Sequence, residues 1–253
     1  MKEIQDSLDV LMLAGYLPPV QEYATIIRHF PGSYAHSPWG NEGLFLFSVD
    51  IFDNGLQVGH VQSEVCTEQG YLQAELGTAH DHWGLAENSI FIMQYRHAKE
   101  IPVDVYAFHI HRKTGTYISS NLTPFIGEKL FPTCHTDQME NTLFWPGVIS
   151  NEENETVVTL INPYNLSLGV QVHLIASSGE VTLAPPINLK SHTTKTLNIA
   201  DLFPQKIRSL REGQETFSLC LAGQYKLVAC IMIKNRSENI ISMMDHLHTY
   251  CLR

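Results

Sequence analysis

Residues 43–55 read GLFLFSVDIFDNG, and their alternation decides the fold. Phe45, Phe47, Val49 and Ile51 fall on one side of an extended chain and Ser48 and Asp50 on the other, the period of two of a half-buried strand. Asp53-Asn54-Gly55 follows as a tight turn, because Asn and Gly accept positive φ at small cost. Outward from this stretch, strands are expected at Leu56–Val65, Tyr71–Leu76, Ser89–Tyr95, Val103–His111 and Thr116–Asn121. Beyond the midpoint they are expected at Thr156–Ile161, Gly169–Ile175, Val181–Leu183, Thr194–Ile199, Thr216–Leu221, Tyr225–Lys234 and Asn239–Met244. Many short strands separated by turn residues predict an all-β protein built of antiparallel sandwiches. Helix is expected in two places. Ile4, Leu8, Leu11 and Met12 have amphipathic helical spacing over residues 2–13, with Gly15 as the C-terminal cap and Pro18-Pro19 barring continuation. Pro204 opens and Gly213 closes a brief turn around Gln205–Arg211.

The two halves share landmarks. Pro31-Gly32 leads into the quoted strand, and Pro146-Gly147 leads into ETVVTLINPYNLS. KEIPVDVYAFHIHRKTGTYISSNL parallels QYKLVACIMIKNRSENIISMMDHL: a long apolar strand, a polar turn and a return strand. This predicts two related sandwiches over residues 20–130 and 141–253, a helix within residues 1–19, and a linker near Lys129–Glu140. In this alignment Met232 and Lys234 stand where the first half has His109 and His111.

Composition narrows the function. The chain has 253 residues, 17% of them charged, and a formal charge of −10. An acidic, charge-poor chain is not built to neutralise phosphates, so no nucleic-acid partner is expected. No apolar run approaches the ~18 residues of a spanning helix, so no membrane partner is expected either. The N-terminal MKEIQDSLDVLMLAGYL carries Glu3, Asp6 and Asp9 and lacks a basic leader. The five cysteines form no CxxC pair. Together these features predict a cytoplasmic protein.

From Trp145 onward the chain resembles the sensory rhodopsin transducer family and related bacterial β-sandwich modules. The resemblance lies in VVTLINPYNLSLGVQVHLIASSGEVTLAPPINLKSHTTKTLNIADLF (157–203) and YKLVACIMIKNRSENIISMM (225–244). It covers about 110 residues of the second half. It implies a small sandwich that assembles into oligomers and acts as a soluble binding partner without catalysis. This chain departs from the pattern in its doubled length and its expected N-terminal helix.

Histidine is the chemical oddity, at 13 residues with three H-x-H pairs: His80/His82, His109/His111 and His246/His248. On a strand, residues i and i+2 share a face, which is how sheets build imidazole metal sites. His80, His82 and Glu87 are also similar to the first metal motif of the cupin family, although Ala74 and Gln94 replace the glycines expected there. A metal reading would gather His80, His82, Glu87, His109 and His111 around Zn, Mn, Fe or Ni in the first half. A sugar-binding reading would use Trp39, Trp83 and Trp145, since exposed aromatic rings on sandwich loops stack on sugars. There is no GxSxG, P-loop, GxGxxG or HExxH motif. The leading expectation is therefore a non-catalytic binding or assembly module, homo-oligomeric and without a cofactor, for an unknown protein, small-molecule or sugar ligand. The alternatives are a cupin-like metal enzyme and a carbohydrate-binding sandwich.

Overall fold

The computed structural model describes residues 8–29, 47–66, 71–76, 89–98, 105–126 and 142–246. The chain divides into two compact units, Met1–Pro132 and Thr133–Arg253. Among the described residues there are four antiparallel sheets and two short helices, an all-β protein.

Unit 1 contains β1 (Leu8–Leu17), β2 (Tyr23–His29), β3 (Ser48–Asp53), β4 (Leu56–Gln62), β5 (Glu64–Cys66), β6 (Tyr71–Glu75), β7 (Ser89–Ala98), β8 (Val105–His111), β9 (Tyr117–Asn121) and β10 (Thr123–Ile126). Its first sheet runs β10-β1-β7-β3-β4 and its second β5-β6-β2-β8-β9. Val49, Phe91 and Met93 of the first sheet meet Ile27, Leu72 and Ala107 of the second in one core. The Asn54-Gly55 turn between β3 and β4 takes positive φ at both residues, as its chemistry demands.

Unit 2 contains β11 (Thr142–Trp145), β12 (Asn154–Asn162), β13 (Leu168–Ala176), β14 (Val181–Leu183), β15 (Ile187–Leu189), β16 (Thr193–Asn198), α1 (Ile199–Leu202), α2 (Pro204–Arg211), β17 (Phe217–Gly223), β18 (Val228–Asn235) and β19 (Ile241–His246). Its first sheet runs β11-β17-β13-β14, with β15 also on β13, and its second β16-β12-β18-β19. Leu143, Val172 and Leu219 pack against Val158, Leu160 and Ile231 across the core. Pro204 sits at the start of α2, and Gly213 leaves it at positive φ.

Where a helix over residues 2–13 is expected, residues 8–13 belong to strand β1, and residues 2–7 lie outside the described residues. The reason is burial on both faces. Leu13 and Leu17 enter the core while Ala14 and Tyr16, pointing the other way, are also buried, so the run shows no alternation. Gly15 is no cap. It lies opposite Phe91, and a Cβ there would run into the Phe91 ring.

The two units share one topology. In lateral order β1, β7, β3 and β4 correspond to β11, β17, β13 and β14, while β6, β2, β8 and β9 correspond to β16, β12, β18 and β19. Local bonds repeat as well. Arg112 N donates to Glu22 O, and Arg236 N donates to Glu153 O, both at 2.7 Å. His111 N donates to Thr116 O, and Asn235 N donates to Ile240 O, both at 2.8 Å. This register corrects the repeat read from sequence. The described strand of that stretch, Ser48–Asp53, corresponds to β13 rather than to the β12 stretch ETVVTLINPYNLS, and His109 and His111 correspond to Ile233 and Asn235.

Candidate binding face

The second sheet of unit 1 alternates strictly. On β2, Tyr23, Thr25, Ile27 and His29 are buried, leaving Ala24, Ile26 and Arg28 half-buried on the outer side. On β8, Val105, Ala107 and His109 are buried, leaving Tyr106, Phe108 and Ile110 half-buried outside. Register places Arg28 beside Tyr106 and Gln73, Ile26 beside Phe108, and Ile110 beside Tyr117. The outer face therefore grades from polar on β6 to aromatic on β8 and β9.

Its side chains hold one another in place. Arg28 Nε donates to Gln73 Oε1 at 2.9 Å, and Gln73 Nε2 donates to Glu75 Oε1 at 2.7 Å. The Arg28 guanidinium lies 5.3 Å from the centre of the Phe108 ring, a cation–π contact. Phe108 in turn is 6.2 Å from Tyr106 and 6.5 Å from Tyr117, centroid to centroid, with tilted rings. Tyr117 is the exposed tip of this row, with 67% of its surface accessible.

Of the residues expected at a metal site, His80, His82 and Glu87 lie outside the described residues. His109 sits in the core at 1% exposure, where its Nδ1 lies 2.9 Å from Thr25 Oγ1. Burial pushes this imidazole down to about 3, so it is neutral at physiological pH. His111 lies at the strand end, its Nδ1 2.8 Å from Thr114 Oγ1 and its ring 5.1 Å from that of Tyr23. Among the described residues no three His, Cys, Asp or Glu side chains are grouped to hold a metal.

Of the tryptophans expected to bind sugar, Trp39 and Trp83 lie outside the described residues. Trp145 packs against the unit 2 core and donates its indole N–H to Gly147 O, closing a strand end.

The face residues Arg28, Tyr106, Phe108 and Tyr117 escape a sequence reading that looks for motifs, because their only signal is period-two placement opposite core residues. A buried pair escapes it too. His29 Nε2 lies 3.0 Å from the Tyr95 hydroxyl, joining β2 of one sheet to β7 of the other, and burial pushes Tyr95 up to about 12.

Fold and face together define a two-unit antiparallel β-sandwich protein. No family model matches the chain, and no curated protein matches it. Among solved structures, a Thermotoga maritima protein designated 1070 aligns with 44% of this chain and 94% of its own, at 10% identity and a TM-score of 0.35. A Bacteroides uniformis β-glucuronidase aligns with 94% of this chain at 12% identity and a TM-score of 0.20. The chain spans about a quarter of that enzyme's length. At such scores these likenesses carry no argument about function.

Proposed function

We propose that the chain is a non-catalytic binding and assembly module that self-associates through the outer face of the second sheet of unit 1. One observation carries this reading. Ile26, Arg28, Tyr106, Phe108 and Tyr117 correspond in register to Val157, Thr159, Cys230, Met232 and Ile241 of unit 2. The unit 2 residues are buried, with Ile241 at 9% against 67% for Tyr117. Exposed aromatic residues of low charge mark interaction surfaces. The resemblance to the sensory rhodopsin transducer family supports assembly, and the shared topology supports an origin by duplication of one sandwich. The two buried histidines His29 and His109 are each engaged in a hydrogen bond within the core, which fits a structural role rather than chemistry. Cys220 and Cys230 are free thiols, which supports a cytoplasmic setting. No helix among the described residues is long and apolar enough to cross a membrane. Sedimentation equilibrium at tens of micromolar tests the reading. The wild type is expected to self-associate and Tyr117→Glu to weaken that association at least tenfold; a wild type that stays monomeric refutes it.

A second reading rests on the row Glu75–Gln73–Arg28, which ends at Phe108, with Tyr117 on the far side of that ring. A glycan of several sugars would stack one ring on Tyr117 while further rings accept and donate hydrogen bonds at the polar row two and three strands away. A glycan array comparing wild type with Tyr117→Ala tests it: binding by the wild type and loss in the variant support it.

A further inference from the structure

Two guanidinium groups of unit 2 converge on one buried hydroxyl. Ser150 stands in the loop ahead of β12 and is 5% exposed. Its Oγ accepts from Arg211 Nε at 3.2 Å and Nη2 at 3.0 Å, and from Arg236 Nη2 at 3.2 Å. Arg211 is the last residue of α2, and Arg236 follows the end of β18. The loop is held by its own bonds: Asn151 Oδ1 accepts from the backbone N–H groups of Glu153 and Asn154, and Arg236 N donates to Glu153 O. Three separate segments thus bring donors to one point.

The cluster holds more donors than acceptors. A serine oxygen has two lone pairs, yet three guanidinium N–H groups point at this one. Among the described residues nothing accepts the Ser150 O–H, and no partner engages Nη1 of either arginine. Glu155 is the one carboxylate joined to the group among the described residues. Its Oε2 lies 3.2 Å from Arg236 Nη2 and also accepts from Asn198 Nδ2 at 2.9 Å. Arg211 makes no ion pair among the described residues, and its neighbour Glu212 accepts from Gln214 instead. Two positive charges against one negative leave the spot net positive, beside an O–H that lacks an acceptor.

Unit 1 arranges the same place differently. The matching bonds from Arg112 N to Glu22 O and from Arg236 N to Glu153 O align Arg112 with Arg236, Pro19 with Ser150 and Ala24 with Glu155. Arg112 Nε donates to Val20 O at 2.8 Å, so the shared arginine is turned to the backbone there. We infer that Ser150, Arg211 and Arg236 form a binding site for one phosphate group, free or as a monoester. A tetrahedral oxyanion offers separate oxygens to donors arriving from three segments, where a planar carboxylate presents only two. Bound phosphate accepts the Ser150 O–H and engages the Nη1 groups of the two arginines. Glu155 competes for Arg236 and lowers the affinity. A single phosphate needs only this pair of guanidiniums, not the basic surface that nucleic acid demands.

The test is calorimetric titration of the full chain with inorganic phosphate at fixed ionic strength, with methyl phosphate and acetate in parallel. The wild type is expected to bind one phosphate saturably, in the millimolar range or tighter, and acetate far more weakly. Arg211→Gln is expected to weaken binding about tenfold or more, because a charge-assisted donor pair is gone. Glu155→Gln keeps an acceptor for Asn198 while removing the competing charge, and is expected to tighten binding severalfold, which a merely structural cluster would not do. Arg112→Gln, the unit 1 counterpart, is expected to bind like wild type. Circular dichroism checks folding, and if Arg211→Gln does not fold, the Glu155→Gln comparison decides. Binding of methyl phosphate beside inorganic phosphate supports an ester as the ligand, and binding of inorganic phosphate alone supports the free ion. The site is overturned by no saturable heat in the wild type, by acetate bound as tightly as phosphate, by unchanged binding in Arg211→Gln, by equal loss in Arg112→Gln, or by Glu155→Gln binding no tighter than wild type.

Discussion

His109 is a buried base kept neutral by its surroundings, so it couples folding to pH. Its folded value of about 3 lies below the ordinary value near 6.5, and the unfolded chain therefore binds the proton more readily. Stability is full above about pH 6.5 and falls as the pH drops toward 3. At pH 5 the loss from this group is about 2 kcal/mol. Thermal melts between pH 7.5 and 4.5 should show it. The double variant Thr25→Val/His109→Ile, which removes both partners and installs the residue of the corresponding unit 2 position, should flatten that slope at little cost at pH 7. An unchanged slope would show that other groups govern acid stability. Tyr95→Phe removes the hydroxyl bonded to buried His29 and should cost about 1–3 kcal/mol in a denaturant melt.

Among the elements, β1 shows what a central strand demands. Gly15 lies under the Phe91 ring, and Phe91 is fully buried, so Gly15→Ala forces a shift within the core. The expected loss is about 1–3 kcal/mol by chemical denaturation, with recovery in Gly15→Ala/Phe91→Leu. The same strand shows where sequence reading fails. Apolar residues on both faces erase the alternation that marks Val105–His111 so clearly, and what remains imitates helical spacing. β2 goes unnoticed for the opposite reason: the core-facing positions Thr25 and His29 are polar, and only the finished hydrogen bonds with His109 and Tyr95 account for them. The all-β class was legible because most strands have one wet side. The candidate face was not, since it depends on which strands become neighbours, and no local pattern states that Arg28 will stand over Phe108. Trp145, conspicuous in the sequence, turns into its own core.

For the molecule as a whole, the strand order of one unit repeats in the other. The two sheets of each unit correspond one to one, and the second sheet of unit 1 leaves its aromatic outer face half-buried with Tyr117 exposed. Edge strands are normally protected, yet β14 carries Val181 and Leu183 outward rather than charges. Self-association through the outer face of the second sheet of unit 1 is the central proposal. The most direct measurement of this claim is amide hydrogen exchange on the full chain at sub-micromolar and high micromolar concentrations. Among the described residues β9 is a sheet edge with a strand neighbour on one side, so its amides report on cover. The account predicts that the peptide spanning Tyr117–Asn121 gains protection as the concentration rises. Unchanged protection of that peptide would contradict it.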